Sequence, residues 1–168
     1  MVRDSFYGLH GIAFGGSTAT RRMMKRNILR PLLVSLQRLR KLVWRVTGRP
    51  AGAHAIALTS TGMLVLVKLR YASGWRPPGG GIKKGESAEH AVLRELTEEI
   101  GMIKHSAVET DLVIRDPAGD GVFIVRDVEY SPRWSIEIES VAEFDPSRLP
   151  LDVAPRARRW IDQVRHRL

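Results

Sequence analysis

Glu95, Glu98 and Glu99 stand at i, i+3 and i+4, a spacing that on a helix places three carboxylates on one face within side-chain reach. Like charges that close destabilise a helix unless something positive sits among them. The simplest occupant is a hard divalent cation, which takes oxygen ligands. Mg²⁺ suits a site with few protein carboxylates, where water and substrate phosphate complete the octahedron, and Mn²⁺ is the alternative ion. An acidic face that merely meets water is the competing explanation, and the flanking sequence decides between the two.

That flanking sequence describes a rigid support. Ala88, Ala91, Val92, Leu96 and Ile100 fall on the opposite side of the same stretch, so a helix from Ser87 to Ile100 has a core face and presents its acids outward. Ser87 is the expected N-cap, Glu89 lies in the first turn, and Gly101 follows the last. Just upstream runs Trp75-Arg76-Pro77-Pro78-Gly79-Gly80-Gly81, where missing Cβ atoms let backbone approach a ligand closely. The rest reads as a mixed α/β domain. His54–Leu58 and Met63–Leu69 are β-like runs joined by the turn Thr59-Ser60-Thr61-Gly62, a hairpin. Further strands are expected near Ala107–Ile114, Gly121–Tyr130 and Ser135–Glu143. Pro155 opens a C-terminal helix with Ala157, Trp160, Ile161, Val164 and Leu168 on one face.

Gly80, five residues, Glu86, seven residues, then Arg94-Glu95-Leu96-Thr97-Glu98-Glu99-Ile100-Gly101-Met102 resembles the Nudix box, G-x5-E-x7-R-E-U-x-E-E-x-G-U with U a bulky aliphatic, at every defined position. The Trp75…Pro78-Gly79-Gly80 segment and the strand order extend the resemblance from about Gly52 to the C-terminus, leaving residues 1–50 outside it. It implies an α/β/α sandwich with a mixed sheet, and Mg²⁺-dependent hydrolysis of the diphosphate linkage in a nucleoside diphosphate joined to another moiety. Carried over by position, Glu95, Glu98 and Glu99 would bind the metal, with Glu95 a candidate general base. Arg94 would orient a box carboxylate, Glu86 first, and the Gly79–Gly80 turn would offer the metal a carbonyl, assigned to Gly80. A non-catalytic nucleotide-binding or regulatory module on the same fold is the rival. Loss of a box glutamate would favour it, and none is lost. Resemblance in fold does not name the small-molecule nucleotide.

Outside the box, Glu137, Glu139 and Glu143 form a second acidic patch. Alternation on a strand places Glu137 and Glu139 on one face and Ile136 and Ile138 on the other. Relatives often draw a further ligand or the base from such a position, and Glu137 ranks above Glu139. A solvated strand face explains the patch equally well. Lys83, with Lys84, meets substrate phosphates or water. Trp75 stacks on a base or closes its loop onto the core. The five histidines show no zinc spacing.

A chain of 168 residues, 43% hydrophobic, suits one packed core with an appendage. The absence of cysteine excludes disulfides, thiolate metal sites and a cysteine nucleophile, and it fits the reducing cytoplasm. No run approaches the roughly 18 apolar residues that span a bilayer. Gly8–Ala19 is too rich in Gly, Ser and Thr for a secretory leader, so a cytoplasmic location is expected. The net charge of +9 is unevenly spread: residues 1–50 hold 11 of the 27 Lys and Arg but one of the 18 Asp and Glu. Residues 51–168 are therefore almost neutral. Residues 1–22 lack apolar periodicity and read as a disordered extension. Residues 23–50 read as a basic helical arm, and residues 51–168 as the hydrolase domain. From Pro31 to about Val46, Leu32, Leu33, Leu36, Leu39, Val43 and Val46 share one side, with Arg38, Lys41 and Arg45 largely on the other. Packing on the domain or a homodimer is the favoured role. An anionic membrane or RNA is the alternative, and the near-neutral domain gives RNA no support.

Overall fold

The computed structural model describes residues 31–36, 39, 42, 51–115, 119–133 and 135–168. In chain order the domain runs β1 (Gly52–Leu58), β2 (Leu64–Leu69), β3 (Trp75–Arg76), β4 (Gly79–Gly81), α1 (Ala88–Ile100), β5 (Met102–Lys104), β6 (Ala107–Arg115), β7 (Gly121–Arg126), β8 (Glu129–Tyr130), β9 (Ile138–Phe144) and α2 (Pro155–Val164), closed by a 3₁₀ turn at Arg165–Arg167.

The expected hairpin forms, but it stays together for only two residue pairs. β1 and β2 are antiparallel at Ala57↔Val65 and Leu58↔Leu64 and then part. β7 lies parallel along one edge of β1, and β9 lies antiparallel along one edge of β2. The edges left open by the parting are taken by β4, against Gly52–His54, and by β3, against Val67–Lys68. The Trp75–Gly81 segment thus sits in a split in the sheet.

Side chains alternate across that sheet and fix the layers. Ala53, Ala55, Ala57, Val65, Val67, Phe123 and Val125 pack on Ala91, Val92, Leu96 and Ile100 of α1. Ile56, Leu58, Leu64, Leu66, Val122 and Ile124 face the other way, onto Ala157, Trp160, Ile161 and Val164 of α2. The result is the expected α/β/α sandwich with a mixed sheet. At the start of α1, the Ser87 hydroxyl accepts the His90 N–H at 3.1 Å. At its end, Gly101 adopts a left-handed conformation with φ 69° and returns its N–H to the carbonyls of Leu96 and Thr97.

Three expectations change. The run Gly121–Tyr130 is two strands, because Asp127 turns to φ 51° between them. The last strand begins at Ile138 instead of Ser135: the Ser135 hydroxyl accepts the N–H groups of both Glu137 and Ile138, each at 3.2 Å, and holds that segment in a bend. Ile136 is consequently exposed while Ile138 is buried. In the arm, residues 31–36, 39 and 42 are helical, yet only Leu33 of the described leucines is buried, at 5% exposure. The remainder of the expected helix to Val46, and residues 1–22, lie outside the described residues. Among the described residues no helix is long and apolar enough to cross a membrane.

Gly101 gives a direct test of how α1 is terminated. A Cβ there would lie 2.1 Å from the Ser131 carbonyl oxygen, on a backbone that L-residues rarely adopt. Gly101→Ala should therefore cost about 1–3 kcal/mol of stability, read by urea denaturation. An unchanged midpoint would show that the Ser131 loop yields freely.

Candidate active site

Arg94 stands at the centre of the carboxylates. Its Nε and Nη2 donate to the two oxygens of Glu86 at 2.8 and 3.0 Å. Nη1 donates to Glu95 at 2.7 Å and to Glu98 at 3.2 Å, and Nη2 also reaches the Gly81 carbonyl at 3.0 Å. The fork geometry of guanidinium allows this. Glu86 takes the Lys83 backbone N–H as well, at 2.9 Å. Hydrogen bonding by Arg94, then by that N–H, holds the Glu86 carboxyl down at about 2. In return Glu86, ahead of Glu95, raises the pKa of Arg94. The Lys83 ammonium is 3.8 Å from Glu98 with both groups exposed, a contact that contributes little.

Glu99 is beyond these contacts of Arg94 and is held from the glycine turn, where the Gly79 N–H donates to its Oε2 at 2.8 Å. Its carboxyl is pushed up to about 8, chiefly by withdrawal from water and further by the charges of Glu95 and Glu137, against the opposing pull of Gly79 and Arg76. Gly79 tolerates no side chain, and one at Gly80 would displace the Glu95 carboxylate. A Cβ on Gly79 (φ 148°) would lie 2.4 Å from the Ala53 carbonyl oxygen, and one on Gly80 would lie 2.5 Å from a Glu95 oxygen. Behind the turn is a polar cluster without a sequence signal. His54, the β1 partner of Gly79, stacks on Trp160 at 4.9 Å and sits 3.6 Å from Asp120. The fully buried Asp120 accepts the Gly52 N–H at 2.6 Å and an Arg156 N–H at 2.5 Å.

These groups open into a cleft of about 430 Å³ lined by Tyr71, Gly80, Gly81, Lys83, Arg94, Glu95, Glu98, Glu99, Ser135, Glu137 and Ile138, a size suited to a small molecule. Glu137 reaches it from the bend before β9. Its carbonyl accepts the Arg70 N–H at 2.9 Å, and its carboxylate accepts the Tyr71 hydroxyl at 3.3 Å. Glu139 is on β9 itself, exposed and outside the cleft lining, so the two do not share a strand face as alternation suggests. Trp75 is also absent from the lining. It belongs to the opposite layer, edge-on to Phe144 at 4.9 Å and with the Lys68 ammonium 5.2 Å from its ring. The ring closes its loop onto the core, the second of the two roles that the sequence offers. Tyr71 and Ser135 are the lining residues that sequence reasoning did not find.

Residues 48–164 match the NUDIX domain. The chain belongs to the Nudix family. A Bacillus subtilis (strain 168) protein, provisionally named an 8-oxo-dGTP diphosphatase, is 28% identical over 118 residues, which is 68% of this chain and 79% of that one. The MutT Nudix hydrolase of Burkholderia pseudomallei superposes with a TM-score of 0.58 at 25% identity, covering 68% of this chain and 97% of its own. A UDP-X diphosphatase superposes with a TM-score of 0.53 at 19% identity, covering 93% and 87%, a likeness of fold alone. The chain is thus a Nudix pyrophosphohydrolase, of a family acting on nucleoside diphosphate derivatives.

Nudix hydrolases generally use divalent metal ions, and the donor set here fits one chemically: Glu95, Glu98, Glu99 and Glu137 all offer oxygen to one cleft. Among the described residues no three carboxylates or imidazoles already converge as a metal cage. Arg94 instead pairs with Glu95 and Glu98. A cation would compete with it for Glu98, the longest and most exposed of those contacts, and would favour the ionised form of Glu99.

The Arg94–Glu86 pair carries a pH signature. Because the folded pKa of Glu86 lies below its ordinary value of 4.5, the pair stabilises the fold fully above that value and fades as pH falls towards about 2. Glu86→Gln should melt below the parent protein at about pH 7, and the gap should narrow steadily below about pH 5. A gap independent of pH would mean that shape, and not charge, is what Glu86 supplies.

Proposed function

We propose that this Nudix hydrolase cleaves a phosphoanhydride bond in a nucleoside diphosphate derivative by attack of water, with Mg²⁺ or Mn²⁺ held by Glu95, Glu98 and Glu99 and the Gly80 carbonyl. The observation that supports it most directly is that every charged box residue is present, and that Glu95, Glu98 and Glu99 meet Glu137 around one cleft. When bound, the metal neutralises charge on phosphate oxygens and acidifies water. The remaining work belongs to the side chains. Arg94 holds Glu95 and Glu98 in register with the glycine turn, and Gly79 does the same for Glu99. Lys83, exposed at the cleft lining, meets substrate phosphate. As the water oxygen bonds to phosphorus and the bridging P–O bond breaks, a carboxylate takes the proton. Glu95 and Glu137 are the candidates for that role.

The relative from Bacillus subtilis brings oxidised and ordinary nucleoside triphosphates to the head of the substrate panel. ADP-ribose, a nucleotide sugar and a dinucleoside polyphosphate complete it. Phosphate release from at least one member, with either metal, is the expected result. Nucleotide binding without turnover on any member would point to a regulatory module instead.

Two substitutions separate the roles. Glu98→Gln should leave the fold intact and reduce kcat by about 10²-fold or more, because it removes a charged ligand at nearly constant shape. Glu137→Gln should lose much less if Glu137 is an auxiliary ligand. A loss from Glu137→Gln that equals or exceeds that of Glu98→Gln would make Glu137 the base. Near-normal kcat for Glu98→Gln at saturating Mg²⁺ would remove Glu98 from the metal site.

A further inference from the structure

The helical arm presents an apolar face that the catalytic domain leaves uncovered. Leu32, Leu36 and Leu39 follow i, i+4, i+7, and at about 100° per residue they fall within about 60° of one another, with Leu42 continuing the stripe. Leu33, about a quarter-turn away, is the buried one, whereas Leu32, Leu36, Leu39 and Leu42 remain 53–58% exposed. Packing on the domain, expected from sequence, therefore accounts for Leu33 and not for the leucine stripe. A single exposed leucine is ordinary; a run of them on one helical face marks an interaction surface.

Charge decides what covers it. Residues 1–50 carry 11 Lys and Arg against one acid. A second copy would bring an equally basic arm against the first, with no acidic residues in the arm helix to offset the repulsion. RNA would satisfy the charge but leave the leucines in water. A lipid surface with anionic headgroups satisfies both, taking leucines into the acyl boundary while Lys and Arg lie among the phosphates. We infer that the arm docks this hydrolase on an anionic membrane surface through Leu32, Leu36, Leu39 and Leu42. The arm lies on the membrane and does not cross it, and the near-neutral catalytic domain stays in water. Such docking would hold the enzyme at the bilayer surface without altering the cleft.

The test uses the full chain and sedimentation with vesicles of phosphatidylcholine alone or with about 30 mol % phosphatidylglycerol. The protein should sediment with the anionic vesicles and stay in solution with the neutral ones, and binding should weaken as NaCl rises from about 0.1 to about 0.5 M. The double substitution Leu36→Glu and Leu39→Glu should reduce partitioning at least about tenfold while leaving the melting point and hydrolysis of a soluble substrate unchanged. Leu151→Glu, at a fully exposed leucine of the domain, should leave partitioning unchanged. Absence of binding, or equal binding by the double variant, overturns the inference. So does a dimer in light scattering that the double variant abolishes, or salt-sensitive RNA binding that anionic vesicles do not compete away.

Discussion

Glu95, Glu98 and Glu99 repel one another within little more than one turn of α1, and Glu86 adds a fourth carboxylate beside them. Arg94 is the counter-charge inside that group. Its fork binds Glu86 at two points and still has Nη1 free for Glu95 and Glu98. An ammonium has neither the reach nor the planar set of donors for this. Glu99 lies outside these contacts and is settled differently, by one backbone N–H and a carboxyl pushed up to about 8. The carboxylates of the helix face are thus held in two ways, by a guanidinium and by a backbone N–H. The same contacts fix where each carboxylate stands relative to the glycine turn.

That arrangement depends on backbone placed far from α1 in sequence. β1 and β2 separate after two pairs, and the opening admits the segment that carries Gly79 and Gly80. A side chain at Gly79 would collide with the Ala53 backbone, and one at Gly80 would push the Glu95 carboxylate from its place. So the glycines bring main chain close enough for Gly79 to reach Glu99. Behind them the buried Asp120 ties Gly52 to Arg156 of α2, and the His54 ring fills the space between this cluster and the turn. One helix layer supplies the carboxylates, and the other helps to anchor the strand against which their glycine partners lie.

What could be read from sequence is what depends on neighbours along the chain. α1 announces itself through its apolar spacing, through Ser87 and Gly101 at its ends, and through the box; all are relations within 23 residues, from Gly80 to Met102. The α/β/α layering follows from strand alternation and from the two amphipathic helices. Trp75 could not be placed in this way. A two-residue strand has no periodicity, and the layer its ring enters is set by pairing with β2 and contact with Phe144. Asp120 needs a partner 36 residues further on. Glu137 was legible as an acid near the last strand, but its route into the cleft comes from the Ser135 bend. In the arm, amphipathicity was visible while the side that packs was not, because spacing shows that a face is apolar and not what lies opposite it.

The cleft also explains why the reaction is easier to read than the substrate. Gly80, Gly81, Lys83, Arg94, Glu95, Glu98 and Glu99 come from the box, and in the proposed reading they address phosphate, the part that nucleoside diphosphate derivatives share. Tyr71, Ser135, Glu137 and Ile138 are the lining residues from outside it. They sit on the connection after β2 and at the start of β9, two segments joined by the Arg70 N–H to the Glu137 carbonyl and by the Tyr71 hydroxyl to the Glu137 carboxylate. They give that side of the cleft one aromatic ring, one aliphatic side chain and a few polar atoms. The box therefore supplies one part of the lining through neighbours along the chain, while the rest of the lining is placed by tertiary contacts.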